Sequence, residues 1–393
     1  MMDKQVLSSL LEEMTPDLIN FAQKIVQTKS LTCQEGDVAR LVADKMRELD
    51  YDEVSVDEVG NVLGRIGSGE PALLFDGHMD TVTVNDTDQW SVEPYGGEIR
   101  DGKLYGRGSA DTKCPLVAAI FGAALAKRAG LPEGKAIYVS ASAMEEDYDG
   151  EAVRLLLEKT GLRPRGVVIC EPTNLMIATG HRGRALIEIH TVGKSCHGST
   201  PELGINPVYK MRELIGRVEA LADELASREG EHGSLALTNV YCNTASNNSV
   251  PQDATIILDR RLALGESEEI IAAEMDALVA GTDATWCFSD ISDKTWTGYP
   301  FLFHSFLPAW EIKQEHPLVQ TAAKAFADRQ GADPVLFKMG CSTNAVTTAG
   351  MYHLPSIVLG PGDLAQAHSK DEFCRLDDLV TAVGIHAGIC REF

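Results

Sequence analysis

Short, wholly apolar runs recur along this chain, and each stops abruptly at a polar residue with its own chemistry. Ala72-Leu73-Leu74-Phe75 gives way to Asp76-Gly77-His78-Met79-Asp80, and Val167-Val168-Ile169-Cys170 to Glu171-Pro172-Thr173. Ile357-Val358-Leu359 leads into Gly362-Asp363 and then His368. Runs of this length and composition suit strands buried on both faces, the signature of a parallel sheet covered by helices. Helical patterns fall between them: residues 17–26 keep Leu18, Phe21, Ala22 and Ile25 on one face, and residues 116–127 and 151–159 follow suit. Residues 6–49 read as helical, with Thr15-Pro16-Asp17 marking a fresh helix start within them. Strands alternating with helices predict an α/β layered domain with a central, mostly parallel sheet.

Near Arg184 the period changes. Residues 185–192, 234–241 and 254–262 alternate apolar and polar, as half-exposed strands do, and helical stretches fall at 206–225 and after Ser267. With Trp286-Cys287-Phe288 closing the set, the order is β-α-β-β-α-β, a ferredoxin-like α+β arrangement inserted into the first domain. The predicted division is residues 1–183 and 298–393 for the α/β domain and 184–297 for the insertion. From His316 the α/β pattern resumes.

Composition excludes several classes. The 393 residues are 44% hydrophobic and 24% charged, which is ordinary globular composition, and long enough for two or three domains without disulfide staples. Lys+Arg 35 against Asp+Glu 58 gives a net charge of −23, with no basic stripe, so nucleic acid is not an expected partner. Nine cysteines without a CxxC pair fit reduced thiols rather than a disulfide framework. The start, Met1-Met2-Asp3-Lys4-Gln5, has no apolar leader region, and the apolar stretch 116–126 is about half of a membrane span. The expected setting is the cytosol, without membrane insertion.

Open α/β sheets keep their sites at the carboxyl ends of parallel strands. Reading those points collects His78 and Asp80, then Asp111 after Leu104-Tyr105, Glu145 and Glu146 after Tyr138-Val139-Ser140, Glu171, and His368. Each alone has an ordinary reading: a core histidine, a solvated loop carboxylate, a helix cap at Asp111. Together, two histidines and several carboxylates without a thiolate form a ligand inventory for divalent cations, zinc above all, and two metals sharing one carboxylate is the economical arrangement. No phosphate-binding G-x-x-x-x-G-K-[ST] accompanies them.

The segments Gly77-His78-Met79-Asp80-Thr81-Val82, Gly106-Arg107-Gly108-Ser109-Ala110-Asp111, Glu145-Glu146-Asp147, Glu171-Pro172-Thr173 and the late His368 resemble, in order, those of a zinc-dependent hydrolase family. It includes aminoacylases, glutamate carboxypeptidases, acetylornithine deacetylases and succinyl-diaminopimelate desuccinylases. The resemblance runs over essentially the whole chain and implies a metallopeptidase-like α/β catalytic domain with an inserted lid and dimerisation domain. Arg182-Gly183-Arg184, Ser195-Cys196-His197-Gly198-Ser199, Asp259-Arg260-Arg261-Leu262 and Trp296-Thr297-Gly298 are similar to its YgeY-type, selenium-metabolism-linked branch. By that resemblance His78 and Glu171 hold one zinc, Glu146 and His368 the other, and Asp111 bridges, with Co2+ or Mn2+ as alternatives. Asp80 accepts the second N–H of His78, and Glu145 is the general base. His197 reaches a partner subunit's site in a homodimer, Arg261 grips a substrate carboxylate, and Asn248 with Ser342, Thr343 and Asn344 contacts substrate. The implied reaction is amide hydrolysis of an N-acyl amino acid or short peptide. Hydrolysis of carbamoyl or ureido amino acids, or a non-catalytic metal-binding relative, are the alternatives. Departures from the family pattern are Thr112-Lys113-Cys114-Pro115 where a Gly pair often stands, and Glu rather than Asp at 171.

Overall fold

The computed structural model describes residues 4–393, so Met1, Met2 and Asp3 of the expected leaderless start lie outside it. Chain contacts divide these residues into two units. The first comprises residues 4–181, Asp293–Phe301 and Glu311–Phe393, the second Arg182–Ser292 and Leu302–Trp310. The boundary therefore differs from the single insertion 184–297: residues 293–301 pack with the first unit, and the chain then contributes 302–310 to the second.

In the first unit, hydrogen bonding orders the strands Glu53–Val56, Val62–Gly67, Gly134–Ser142, Gly69–His78, Gly166–Ile169, Ser356–Val358 and Ile177–His181 across one sheet. The four central strands, from Gly134–Ser142 to Ser356–Val358, run mutually parallel. Those flanking them pair antiparallel. Burial explains the strand composition: Leu73, Leu74, Phe75, Val167, Val168, Ile169, Ile357 and Val358 are all inaccessible to solvent. One covering helix, Cys114–Arg128, is buried on every face from Cys114 to Ala126, as its lack of polar periodicity requires.

Residues 6–49 are not one helical stretch restarted at Thr15. A single helix spans Lys4–Gln27 with Pro16 inside it, and Thr15 Oγ1 donates to the Leu11 carbonyl at 2.7 Å in the turn where proline has no N–H to give. A second helix begins at Gly36, and the non-helical link between them brings in Ser30, Cys33 and Glu35.

The second unit has strands in the order Ser234–Asn243, Asp253–Leu262, Gly183–Val192, Thr285–Phe288, all neighbours antiparallel. In chain order this is second-third-first-fourth, the ferredoxin-like connectivity. Its helices Pro207–Ser227 and Glu268–Val279 join the sheet in one apolar core that includes Ile187, Ile189, Leu214, Ile256, Leu258 and Met275.

Candidate metal centre

Strand order does the first part of the assembly. Four adjacent parallel strands end beside one another, about 4.8 Å apart. They deliver Glu145 and Glu146 (after Gly134–Ser142), His78 (the last residue of Gly69–His78), Glu171 (after Gly166–Ile169) and the segment leading to His368 (after Ser356–Val358). Asp111 arrives differently from the expected parallel-strand end. The strand before it, Lys103–Tyr105, belongs to a separate antiparallel sheet with Ile99–Arg100 and Phe373–Arg375.

Asp111 sits in the middle of the cluster. Its Oδ1 lies 3.1 Å from His78 Nε2, and its Oδ2 3.5 Å from His368 Nε2. His368 Nε2 is 2.9 Å from Glu146 Oε2, while His78 Nε2 is 3.8 Å from Glu171 Oε1 and 3.7 Å from Glu145 Oε2. One ligand atom each from His78, Asp111 and Glu146 falls within 4.8 Å of the others.

The electrostatics favour a cation. Burial pushes Glu145 and Glu171 well above the usual carboxylate range, with His78 opposing it and repulsion from neighbouring carboxylates adding to it. Burial and the Asp111 charge raise Glu146 as well, against the His368 hydrogen bond. Burial works to lower His78, but Glu145, Asp111, Asp80 and Glu171 together lift it well above the ordinary imidazole value. Two imidazoles among this many buried oxygens form a donor set that divalent cations fit, since cations relieve a repulsion the fold has already accepted.

Asp80 does more than was expected of it, and less. The His78 Nδ1 partner is the Asp80 main-chain carbonyl at 3.0 Å, with the carboxylate farther off at 3.4 Å. Either contact fixes Nε2 toward the cluster. The Asp80 carboxylate instead accepts the main-chain N–H groups of Glu145 (3.0 Å) and Glu146 (3.1 Å), together with the Thr32 hydroxyl (2.9 Å).

Sequence reasoning missed the carboxylate that holds Asp111. Glu372 is fully buried: Oε1 accepts from Ala110 N and Asp111 N at 2.8 and 3.0 Å, and Oε2 from Gly108 N at 3.1 Å and Arg107 Nη1 at 2.7 Å. Gly108 has φ +84°, and a Cβ there would meet Thr81 Cγ2 at 2.6 Å, so only glycine lets this loop close. The available signal was an acidic residue four positions after His368, immediately before the strand Phe373–Arg375.

Of the loop expected to contact substrate, Asn344 is committed elsewhere. Its amide donates to Asp76 Oδ2 (2.8 Å) and Ser142 Oγ (3.0 Å) and accepts from Gly150 N (2.7 Å), which uses both N–H groups and the oxygen. Thr343 Oγ1 pairs with His181 Nε2 at 3.1 Å and is buried, and Ser342 donates to Asp149. Asn344 and Thr343 thus brace the strand ends rather than present themselves to a ligand.

His197, Asn248 and Arg261 belong to the second unit. His197 Nδ1 lies 2.7 Å from Ser199 Oγ and 3.1 Å from Ser199 N. Gly198 N donates to the Asn248 carbonyl at 2.6 Å, which ties these two segments together. Arg261 Nε lies 2.8 Å from Asp259 Oδ1 and is partly exposed. Its neighbour Arg260, on the opposite face of the strand, is wholly buried between Glu266 (2.6 Å) and Glu274 (2.9 Å).

This fold and donor set define a metal-dependent hydrolase of amide bonds. The chain belongs to peptidase family M20/M25/M40, whose pattern it matches over residues 74–392. It is 32% identical over 377 residues to the Escherichia coli (strain K12) protein YgeY, covering 95% of this chain and 93% of that one. It is also 26% identical over 389 residues to the succinyl-diaminopimelate desuccinylase of Thioalkalivibrio sulfidiphilus (strain HL-EbGR7), covering 95% and 98%. Among solved structures, the M20 metallo-carboxypeptidase Sso-CP2 of Sulfolobus solfataricus superposes with TM-score 0.73 at 16% identity, covering 100% and 99%. The Bacillus subtilis YXEP protein, a dinuclear metal binding peptidase of the M20 family, superposes with TM-score 0.68 at 16% identity, covering 96% and 98%. No helix among the described residues is long and apolar enough to cross a membrane.

Proposed function

We propose that this chain hydrolyses the amide bond of an N-acyl amino acid or short peptide, with two zinc ions held at the cluster and Glu145 as general base. The observation that carries it is the Asp111 carboxylate, whose two oxygens face the two histidines separately, as a bridging ligand must. His78 and Glu171 would complete one ion's protein ligands, Glu146 and His368 the other's. When bound, such a pair of cations polarises the scissile carbonyl and brings the pKa of water toward neutrality.

The chain's own residues supply the rest. Glu145 takes the proton of the attacking water and delivers it to the leaving amine nitrogen, a role typically contributing ~10²–10⁴-fold. Its main-chain N–H is fixed on Asp80, so the same aspartate that orients His78 aims the base. From the second unit, acting as a lid, His197 Nε2–H serves as the oxyanion donor in the partner's site of a homodimer, an interaction worth about 10²–10³. Arg261 receives the substrate carboxylate, and Asn248 and Ser342 are the remaining polar contacts. The setting is cytosolic.

Elemental mass spectrometry on tag-free protein prepared without chelator should find near two zinc ions per chain. An amine-release screen over acyl amino acids, carbamoyl amino acids and dipeptides then identifies the substrate class. Glu145→Ala should retain both ions and lose turnover by at least about 10²-fold. Substantial residual turnover removes Glu145 from the role, and protein that zinc cannot load sinks the reading.

A further inference from the structure

Trp296-Thr297-Gly298 takes no part in the metal centre, yet the first unit holds its segment, Asp293–Phe301, at several points. Tyr148 OH donates to Asp293 Oδ2 at 2.7 Å, and the Tyr148 ring meets Phe301 edge-on with centroids 4.9 Å apart. Thr297 Oγ1 donates to the Glu58 carbonyl at 2.6 Å, and Trp296 Nε1 to the Gly60 carbonyl at 3.1 Å. The indole lies directly on two glycines. A Cβ on Gly36 would stand 3.0 Å from Trp296 Cε3, and one on Gly60 2.1 Å from its Nε1.

The residues adjoining those glycines are Glu35 and Asn61, and both reach the same loop. Asn61 Oδ1 accepts the Ala143 N–H at 3.0 Å, and Glu35 Oε1 accepts the Met144 N–H at 2.8 Å and the Cys33 N–H at 2.9 Å. With Asp80 taking Glu145 and Glu146, four successive main-chain N–H groups, 143–146, each end on a side-chain acceptor. Met144 has φ +51°, a conformation an L residue adopts only where its surroundings impose it. Glu35 is fully buried, and its Oε2 has no hydrogen-bond partner among the described residues. A buried carboxyl left half satisfied is costly, so its two accepted N–H groups are what it is kept for.

We propose that Glu35 and Asn61 are positioning residues for Glu145, and that Trp296 is the wedge that fixes them both. The segment Asp293–Phe301 thereby sets the aim of the hydrolytic loop. This rests on Glu145 being the base, but the anchoring itself is measurable without any substrate.

The test is amide hydrogen exchange on the full-length protein, with kcat, KM and bound metal measured in parallel. In Trp296→Ala and Glu35→Ala, exchange of residues 143–146 should rise about 10-fold or more while the central strand Gly166–Ile169 stays protected. Metal content should hold, kcat should fall about 10–100-fold, and KM should move by less than about twofold. Glu35→Gln, which keeps the Oε1 acceptor, should restore both protection and kcat. Should Trp296→Ala not fold, Trp296→Phe keeps a ring on the glycines, loses the bond to Gly60, and should show the same pattern at reduced size. Unchanged exchange at 143–146 in a folded variant overturns the proposal, as does a rise shared equally by Gly166–Ile169. A loss confined to KM overturns it too. If the wild type hydrolyses nothing, the exchange data still decide the anchoring, and only the assignment of Glu145 falls.

Discussion

Replacing Glu372 by glutamine exchanges one carboxylate oxygen for an NH2 group at the point where the Asp111 loop is fastened. The carboxylate meets four donors: Arg107 Nη1 and Gly108 N at one oxygen, Ala110 N and Asp111 N at the other. Whichever way the new amide turns, two of those donors face another donor, and Arg107, itself buried, loses its ion pair. Breaking a buried pair from one side costs about 3–5 kcal/mol. That is a large part of a typical total of about 5–15 kcal/mol. Urea unfolding of metal-free protein should therefore show the first transition moved to much lower denaturant. Because one orientation orphans the Asp111 N–H and the other the Gly108 N–H of the same loop, affinity for zinc should also drop about 10–100-fold, measured by competition with a chromogenic chelator. A stability loss below about 1 kcal/mol together with unchanged zinc affinity would refute the reasoning, since it would mean the four contacts hold nothing that the loop needs.

Adjacent arginines in the second unit should behave oppositely. Arg260→Ala leaves Glu266 and Glu274 without their buried partner and should destabilise that unit by about 3–5 kcal/mol, seen as an early unfolding transition. Arg261→Ala should leave stability near wild type while raising KM for substrates with a free α-carboxylate far more than for their amides; equal changes argue against the clamp. His386, buried in the helix Leu376–Glu392 with its ring against Phe75 of the central sheet, is pushed down to about 4 by burial. The unfolded chain binds that proton near pH 6.5 and the folded one does not. Stability should therefore be fully present above about 6.5 and fall as pH drops toward 4, by about 3 kcal/mol from this group. His386→Leu should flatten that slope relative to wild type, and parallel slopes would exclude the histidine.

Period and punctuation carried the fold. Buried parallel strands must be apolar throughout, so Ala72–Phe75 and Val167–Cys170 declare themselves, and a half-exposed sheet must alternate, so the change of period near Arg184 marks a different layer. The helix Lys4–Gln27 was split at Pro16 because a proline signal is local, whereas the packing of Leu11, Met14, Leu18 and Phe21 on both sides of it is not.

The candidate site divides along a similar line. His78, Glu145, Glu146, Glu171 and His368 could be collected from sequence because each follows an apolar strand, and the chain's own order places strand ends on one edge. Asp111 was found too, though its strand lies in another sheet. Glu372, Glu35 and Asn61 stayed invisible. They are single polar residues whose partners are main-chain N–H groups far away in sequence, and a main-chain N–H leaves no mark on the residue that bears it. The same reason hid the commitment of Asn344 to Asp76, Ser142 and Gly150. Residue type and spacing thus picked out the candidate groups. Only the tertiary structure decided which buried acceptors hold them in place, because those bonds join segments that local sequence does not relate.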